Sequence, residues 1–294
     1  MSAISRRLCL KHFQTSYNVG KRFISSEGTM KNIITERMGS VFLVSINRPD
    51  KRNCVNPEAA DELSTAFRQF EKDDTLSVAV LYGKGGNFCA GYDLKSLSKV
   101  DESFQLPDHE SGYGPLGPTR MLFKKPVIAA VSGYAVAGGL ELSLMCDMRI
   151  ADETAIFGVF CRRFGVPLID GGTVRLPKLI GLSRAMDMIL TGRPIDAKEA
   201  LSFGLANRVV PVGTAVGEAV KIAQQISKFP SKCMKADRTS AYYTTYAARD
   251  FRDAVTYEWD HSVGVVLEES VKGAQNFVSG EGRKGNFDLK ESKL

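Results

Sequence analysis

Two hydrophobic signatures alternate along this chain. Short apolar-rich runs at residues 41–46, 78–82 and 127–131 read as strands, and the continuous apolar run at 78–82 marks a strand buried on both faces. Residues 148–151 and 206–210 are further strand candidates. Between these runs, apolar residues recur at helical spacing. Ala59, Ala60, Leu63, Ala66, Phe67 and Phe70 share one helix face, with Asn56 as N-cap, Pro57 at the first position and Glu58 in the first turn. A helix over 183–190 stops at Thr191-Gly192, and one over 197–203 stops at Gly204 with Asp196 as its cap. Strands alternating with helices imply right-handed crossovers and a mainly parallel sheet.

Residues 98–120 break the rhythm. Pro107, Gly112, Gly114, Pro115, Gly117 and Pro118 cluster there, and a connection of that length is usually mobile or functional. Beyond residue 215 the strand signals fade. Residues 215–228 and 232–248 are expected to be helical, and a further helix is expected through 259–277. Residues 279–294 are polar and are expected to be loose.

Composition adds little until charge is divided along the chain. The 294 residues suffice for one large core plus an appendage, and 44% hydrophobic with 24% charged residues is ordinary for a soluble protein. Five of the six net positive charges lie in residues 1–26, on Arg6, Arg7, Lys11, Lys21 and Arg22. The remainder is nearly neutral, which argues against a nucleic-acid footprint. The leader has no acid before Glu27, and in a basic helix Leu8, Leu10 and Phe13 would line one face. It reads as a mitochondrial transit peptide, placing the mature protein in the matrix; the plain alternative is a basic tail with no address.

The six cysteines form no CxxC pair, and reduced thiols are expected. His12, His109 and His261 are far apart and lack metal spacing, so no metal site is expected. The apolar stretch from Pro126 to Met148 is interrupted by Glu141 and glycines, so no membrane span is expected. Gly83-Lys84-Gly85-Gly86 lacks the Gly-Lys-Ser/Thr closure of a phosphate loop, and no complete Gly-x-Ser-x-Gly elbow is present.

The chemistry concentrates in residues 127–142. A buried strand, a small-residue turn (Ser132-Gly133 to Gly138-Gly139) and a helix start carrying Glu141 would aim free backbone N–H groups at one site. Gly138 offers one such N–H and admits close approach by a ligand. Phe88-Cys89-Ala90-Gly91-Tyr92-Asp93-Leu94 has the same character, with the Tyr92 N–H as donor and Asp93 as a possible cap. Two donors converging on one oxygen would stabilise an enolate or tetrahedral oxyanion, each worth about 3–4 kcal/mol of barrier. Glu141, among Leu140, Leu142, Leu144 and Met145, can serve as a proton shuttle or simply complement the helix dipole.

With these motifs the chain resembles the crotonase (enoyl-CoA hydratase/isomerase) superfamily. The matching pieces are Asn47-Arg48-Pro49, Phe88-x-Ala90-Gly91-x-Asp93-Leu94, Lys125-Pro126-Val127-Ile128-Ala129, Gly133-Tyr134-Ala135-x-x-Gly138-Gly139-x-Glu141-Leu142, Cys146-Asp147, Gly171-Gly172-Thr173-x-Arg175-Leu176 and Leu190-Thr191-Gly192. They follow family order over roughly residues 35–215. The resemblance implies an α/β fold, a crotonase-like spiral of ββα turns over residues 27–214. It also implies a helical C-terminal region, residues 215–294, used for assembly into a homotrimer or a dimer of trimers. It further implies a CoA thioester as substrate, with no separate cofactor. The Tyr92 and Gly138 N–H groups would hold the thioester oxygen, Glu141 would be one of two catalytic acids, and Ala90, Asp93 and Cys161 would border the substrate.

One departure stands out. Family hydratases carry a second glutamate shortly after a Phe-Gly pair, and ungapped counting places Cys161 there. A thiol is no equal of a carboxylate, and a small buried residue is the simpler reading. Asp170 is the candidate replacement: a second proton carrier, a contact for a polar acyl group, or a cap for the helix after Gly171. Arg162 and Arg163 read as a solvated surface pair or as partners of an acidic acyl chain or CoA phosphates. Three functions remain open: hydration of a 2-enoyl-CoA, double-bond isomerisation needing one acid/base, and thioester binding with little turnover.

Overall fold

The computed structural model describes residues 30–101, 113–280 and 282. The leader, His109 and most of the polar tail lie outside these residues, so the expectations placed on them do too.

A six-stranded sheet runs through the molecule. Its strands are β1 (Ile33–Met38), β2 (Val41–Ile46), β3 (Val78–Gly83), β4 (Val127–Val131), β6 (Met148–Asp152) and β9 (Arg208–Val210), in that spatial order. β1 pairs antiparallel with β2 and every other pairing is parallel. Alternate residues of each strand serve two cores, which is why the apolar runs at 78–82 and 127–131 are unbroken. Phe42, Val44, Ala79, Leu81 and Ala129 face one core, shared with α1 (Pro57–Lys72). Leu43, Val78, Val80, Ile128 and Ile150 face the other, which α7 (Ala215–Ile226) closes with Ala219, Ile222 and Ala223.

The core therefore continues past residue 214, and the expected boundary between spiral and helical region falls inside it. What projects beyond the core is α8 (Ser231–Tyr246), α9 (Phe251–Val265) and α10 (Val271–Ser279), with a π-helical turn, Val266–Ser270, between the last two. The helix expected over 259–277 is thus two helices joined by that turn. Asp147 docks α8 by accepting from the Arg238 guanidinium at 2.9 Å and the Tyr242 hydroxyl at 2.8 Å.

A second sheet corrects the sequence reading. Residues 132–139, expected to form one small-residue turn, contain β5 (Tyr134–Val136), which pairs in parallel with β7 (Ile156–Gly158); β7 pairs in turn with β8 (Ile195–Asp196). β1 was likewise invisible, because Glu36 and Arg37 break its apolar run. The caps behave as read: Asn56 accepts from the Ala59 N–H and Asp196 from the Glu199 N–H. The five described cysteines are free thiols, and no helix among the described residues is long and apolar enough to cross a membrane.

Candidate active site

A cavity of about 440 Å³ opens between α1, the segment 113–117, the turns at 90–92 and 137–141, and residues 160–170. Its lining includes Ala90, Tyr92, Gly138, Glu141, Cys161 and Asp170. Six of the seven sequence-derived site residues therefore meet in one place. Asp93 does not line the cavity. Its carboxylate caps α2 (Leu94–Leu97) through the Lys95 N–H and pairs with the buried Arg48 guanidinium at 3.0 Å. Burial opposes ionisation there, but the bonds from Arg48 and Lys95 prevail and hold Asp93 below the usual carboxylate range. The expectation that it borders the substrate gives way to a positioning role for the turn at Gly91-Tyr92.

Two residues that line this cavity carry a backbone N–H without a partner among the described residues. Among the described residues neither the Tyr92 N–H nor the Gly138 N–H donates a hydrogen bond, although their neighbours do. The Asp93 N–H is held by Val55 O, the Val136 N–H by Cys89 O and the Ala137 N–H by Gly158 O. Gly138 begins α3 (Gly138–Leu144), where free N–H groups are expected. The two turns touch: a Cβ on Gly91 would lie 3.1 Å from Gly138 N and 3.0 Å from the Ala137 Cβ. Ala137, with φ 55° and ψ −127°, holds a backbone conformation that costs a non-glycine residue about 1–3 kcal/mol. Strain of that kind persists only where the surroundings enforce it, and here it sits immediately before the Gly138 N–H.

Glu141, in the first turn of α3, is 2% exposed. Its Oε1 accepts from the backbone N–H groups of Asp170 at 2.9 Å and Gly172 at 2.8 Å, and no described residue bonds Oε2. Gly172 permits this approach, since a Cβ there would come within 2.9 Å of Glu141 Cγ and Oε1. Burial, followed by the negative charge of Asp170, pushes the Glu141 carboxyl up to about 7, while the two N–H bonds oppose the rise.

Asp170 is also 2% exposed, and burial raises its carboxyl as well. It does not cap the helix that follows; the N-cap of α4 (Gly172–Ile180) is Gly171, with no side-chain bond. Instead Asp170 Oδ1 accepts from the Leu116 N–H at 3.1 Å and from the Thr119 hydroxyl. Leu116, Thr119 and Gly114 lie within the Pro/Gly cluster of 98–120, but nothing in their types announced a grip on a distant aspartate. Cys161 lies in a 3-10 turn, Phe160–Phe164, and its thiol is raised by burial and then by Glu141. It is a neutral neighbour of the acid. Arg162 and Arg163 are exposed and outside the cavity. Among the described residues no group of His, Cys, Asp and Glu could hold a metal ion.

The geometry thus offers two unpartnered amides beside a pair of buried, mutually repelling carboxyls. Burial raises both carboxyls, and the negative charge of Asp170 raises Glu141 further. Such a pair can both take and give a proton next to an oxyanion.

Comparison with known proteins agrees with this geometry. Residues 36–288 match the family model described as enoyl-CoA hydratase/isomerase. A Rhizobium meliloti protein named "probable enoyl-CoA hydratase" is 40% identical over 200 residues, spanning 68% of this chain and 76% of its own. A Dictyostelium discoideum protein named "probable enoyl-CoA hydratase, mitochondrial" is 38% identical over 196 residues, spanning 66% and 69%. Among solved structures, an enoyl-CoA hydratase from Mycobacterium tuberculosis H37Rv superposes with a TM-score of 0.78 at 32% identity, covering 84% of this chain and 96% of its own.

Proposed function

The chain belongs to the enoyl-CoA hydratase/isomerase family, and from that premise we propose that it adds water across the double bond of a 2-enoyl-CoA. The thioester oxygen rests on the Tyr92 and Gly138 N–H groups. Glu141, ionised and held through Oε1, uses Oε2 to take a proton from water as the oxygen attacks the β-carbon. Electrons move onto the thioester oxygen, and the two amides stabilise the enolate. A proton then returns to the α-carbon, from Asp170 or from the acid just formed, to give the 3-hydroxyacyl thioester. No separate cofactor enters this scheme.

The observation that carries the reading is the placement of buried Glu141 in one cavity with two backbone donors that bond no other described residue. One observation favours a second reading. Cys161 stands beside Glu141 where family hydratases carry their second glutamate, and migration of a double bond requires only one carboxyl to carry a proton between the α- and γ-carbons. Incubation with a 2-enoyl-CoA and with a 3-enoyl-CoA separates the two. Loss of conjugated-enoyl absorbance from the first supports hydration; its appearance from the second supports isomerisation. Full activity in Glu141→Gln with either substrate rules out the assigned acid.

Two further features belong to this reading. The helices beyond the core expose Phe251 at 84%, Trp259 at 66% and Leu267 at 81%, which supports assembly of copies into a trimer or a dimer of trimers. The basic leader, with a relative named mitochondrial, supports import into the mitochondrial matrix.

A further inference from the structure

We propose that Leu116 sets acyl specificity: its clamped side chain fills the space beside the thioester α-carbon, so straight acyl chains are accepted and chains branched at that carbon are rejected. The inference rests on the reading above in one respect, that the thioester oxygen sits on the Gly138 N–H.

Leu116 is 2% exposed yet lines the cavity. A Cβ built on Gly138 would lie 2.6 Å from both Leu116 Cδ1 and Cδ2. Both methyls therefore pack directly on the Gly138 backbone. An oxygen accepting from the Gly138 N–H lies about 2.9 Å from that nitrogen. The α-carbon of the same thioester is only two bonds further on, so it passes close to these methyls. A hydrogen on that carbon fits against such a wall, whereas a methyl group must displace it.

The wall cannot easily give way. Gly114 and Gly117 exchange backbone hydrogen bonds of 2.9 and 2.8 Å, closing a tight turn around Pro115 and Leu116. One side of that turn is pinned by Asp170, which takes the Leu116 N–H at 3.1 Å and the Thr119 hydroxyl. Arg120 adds a tie to Ile169 O at 2.7 Å. The other side lies against α1, where a Cβ on Gly117 would meet Ala60 O at 2.4 Å. Gly114 is equally enclosed, since a Cβ there would fall 2.0 Å from Asp170 Oδ1. Packed interiors resist even one added methylene.

Three hydroxyls near the Leu116 turn are already engaged. The Ser64 hydroxyl donates to Ala60 O, the Thr119 hydroxyl to Asp170, and the Tyr113 hydroxyl accepts from Arg68. Leu94, Leu97, Ala60 and Pro57 supply apolar surface next to them. The favoured acyl group is thus unbranched next to the thioester.

The test compares dissociation constants of butyryl-CoA and 2-methylbutyryl-CoA, two saturated ligands that cannot be hydrated, by calorimetry. Wild type is expected to bind butyryl-CoA at least about ten-fold more tightly, within the 10–200-fold that one methylene is worth. Leu116→Val should shrink that ratio and Leu116→Ala should bring it near one, with butyryl-CoA binding less affected than that of the branched ligand. Should Leu116→Ala fail to fold, Leu116→Val alone decides. Equal binding of both ligands by wild type, or an unchanged ratio in the folded variants, would overturn the proposal. Because no turnover is needed, such a failure stays distinct from failure of the hydratase reading, which would show as inert 2-enoyl-CoA.

Discussion

Replacing the assigned acid should make the protein more stable at high pH even as it loses activity. Glu141 is buried, and its carboxyl is raised from the ordinary 4.5 to about 7, first by burial and then by Asp170. As pH rises, the unfolded chain therefore releases this proton before the folded one does. The carboxyl's contribution is intact below about 4.5 and is lost progressively up to about 7, so ionisation there costs folding stability. The gap corresponds to about 3 kcal/mol at full ionisation. Glutamine cannot ionise, and its Oε1 can still accept the Asp170 and Gly172 N–H bonds. Denaturant unfolding of wild type and Glu141→Gln at pH 5 and pH 8 measures the difference. The expected gap is about 1 kcal/mol or less at pH 5 and about 3 kcal/mol in favour of Gln at pH 8. A gap that does not change with pH, or a Gln variant that is weaker at pH 8, would refute the reasoning.

Gly172→Ala should lower kcat by about a hundred-fold with the fold retained, because its Cβ would push on Glu141 Cγ and Oε1 at 2.9 Å and displacements near 1 Å carry that cost; circular dichroism and turnover of a 2-enoyl-CoA check both halves. Asp147→Ala removes the acceptor for Arg238, Tyr242 and the Val127 N–H, and should cost about 1–3 kcal/mol while speeding proteolysis within α8. Sedimentation of the full chain should show an assembly of three copies or a multiple of three, and Trp259→Lys on the exposed face of α9 should shift it toward smaller species.

Much of the fold was legible because local signals agreed with tertiary ones. The runs at 78–82 in β3 and 127–131 in β4 are apolar throughout since both sheet faces are covered, and the Asn56 and Asp196 caps are local chemistry. What escaped depended on distant partners. β5 is three residues long and exists through its pairing with β7 on one side and Cys89 on the other. β1 carries half-buried polar residues that conceal its register. At the site, glycine spacing pointed to Tyr92, Gly138 and Glu141, which the structure brings to one cavity. The clamp of Leu116 and Thr119 on Asp170 links residues more than fifty positions apart, and no local pattern encodes such a bond. Asp93 misled because its place in a motif cannot distinguish a residue that touches ligand from one that holds the turn. Here the turn prevails, because Arg48 claims the carboxylate.

The central claim is that two main-chain amides polarise one thioester carbonyl beside a buried acid. It is tested most directly by the infrared spectrum of butyryl-CoA carrying carbon-13 at the thioester carbonyl, free and bound to the protein. The carbonyl stretch should move to lower wavenumber on binding, as expected when the Tyr92 and Gly138 N–H groups both donate to it. A ligand that binds tightly while its carbonyl stretch stays at the free value would contradict the account.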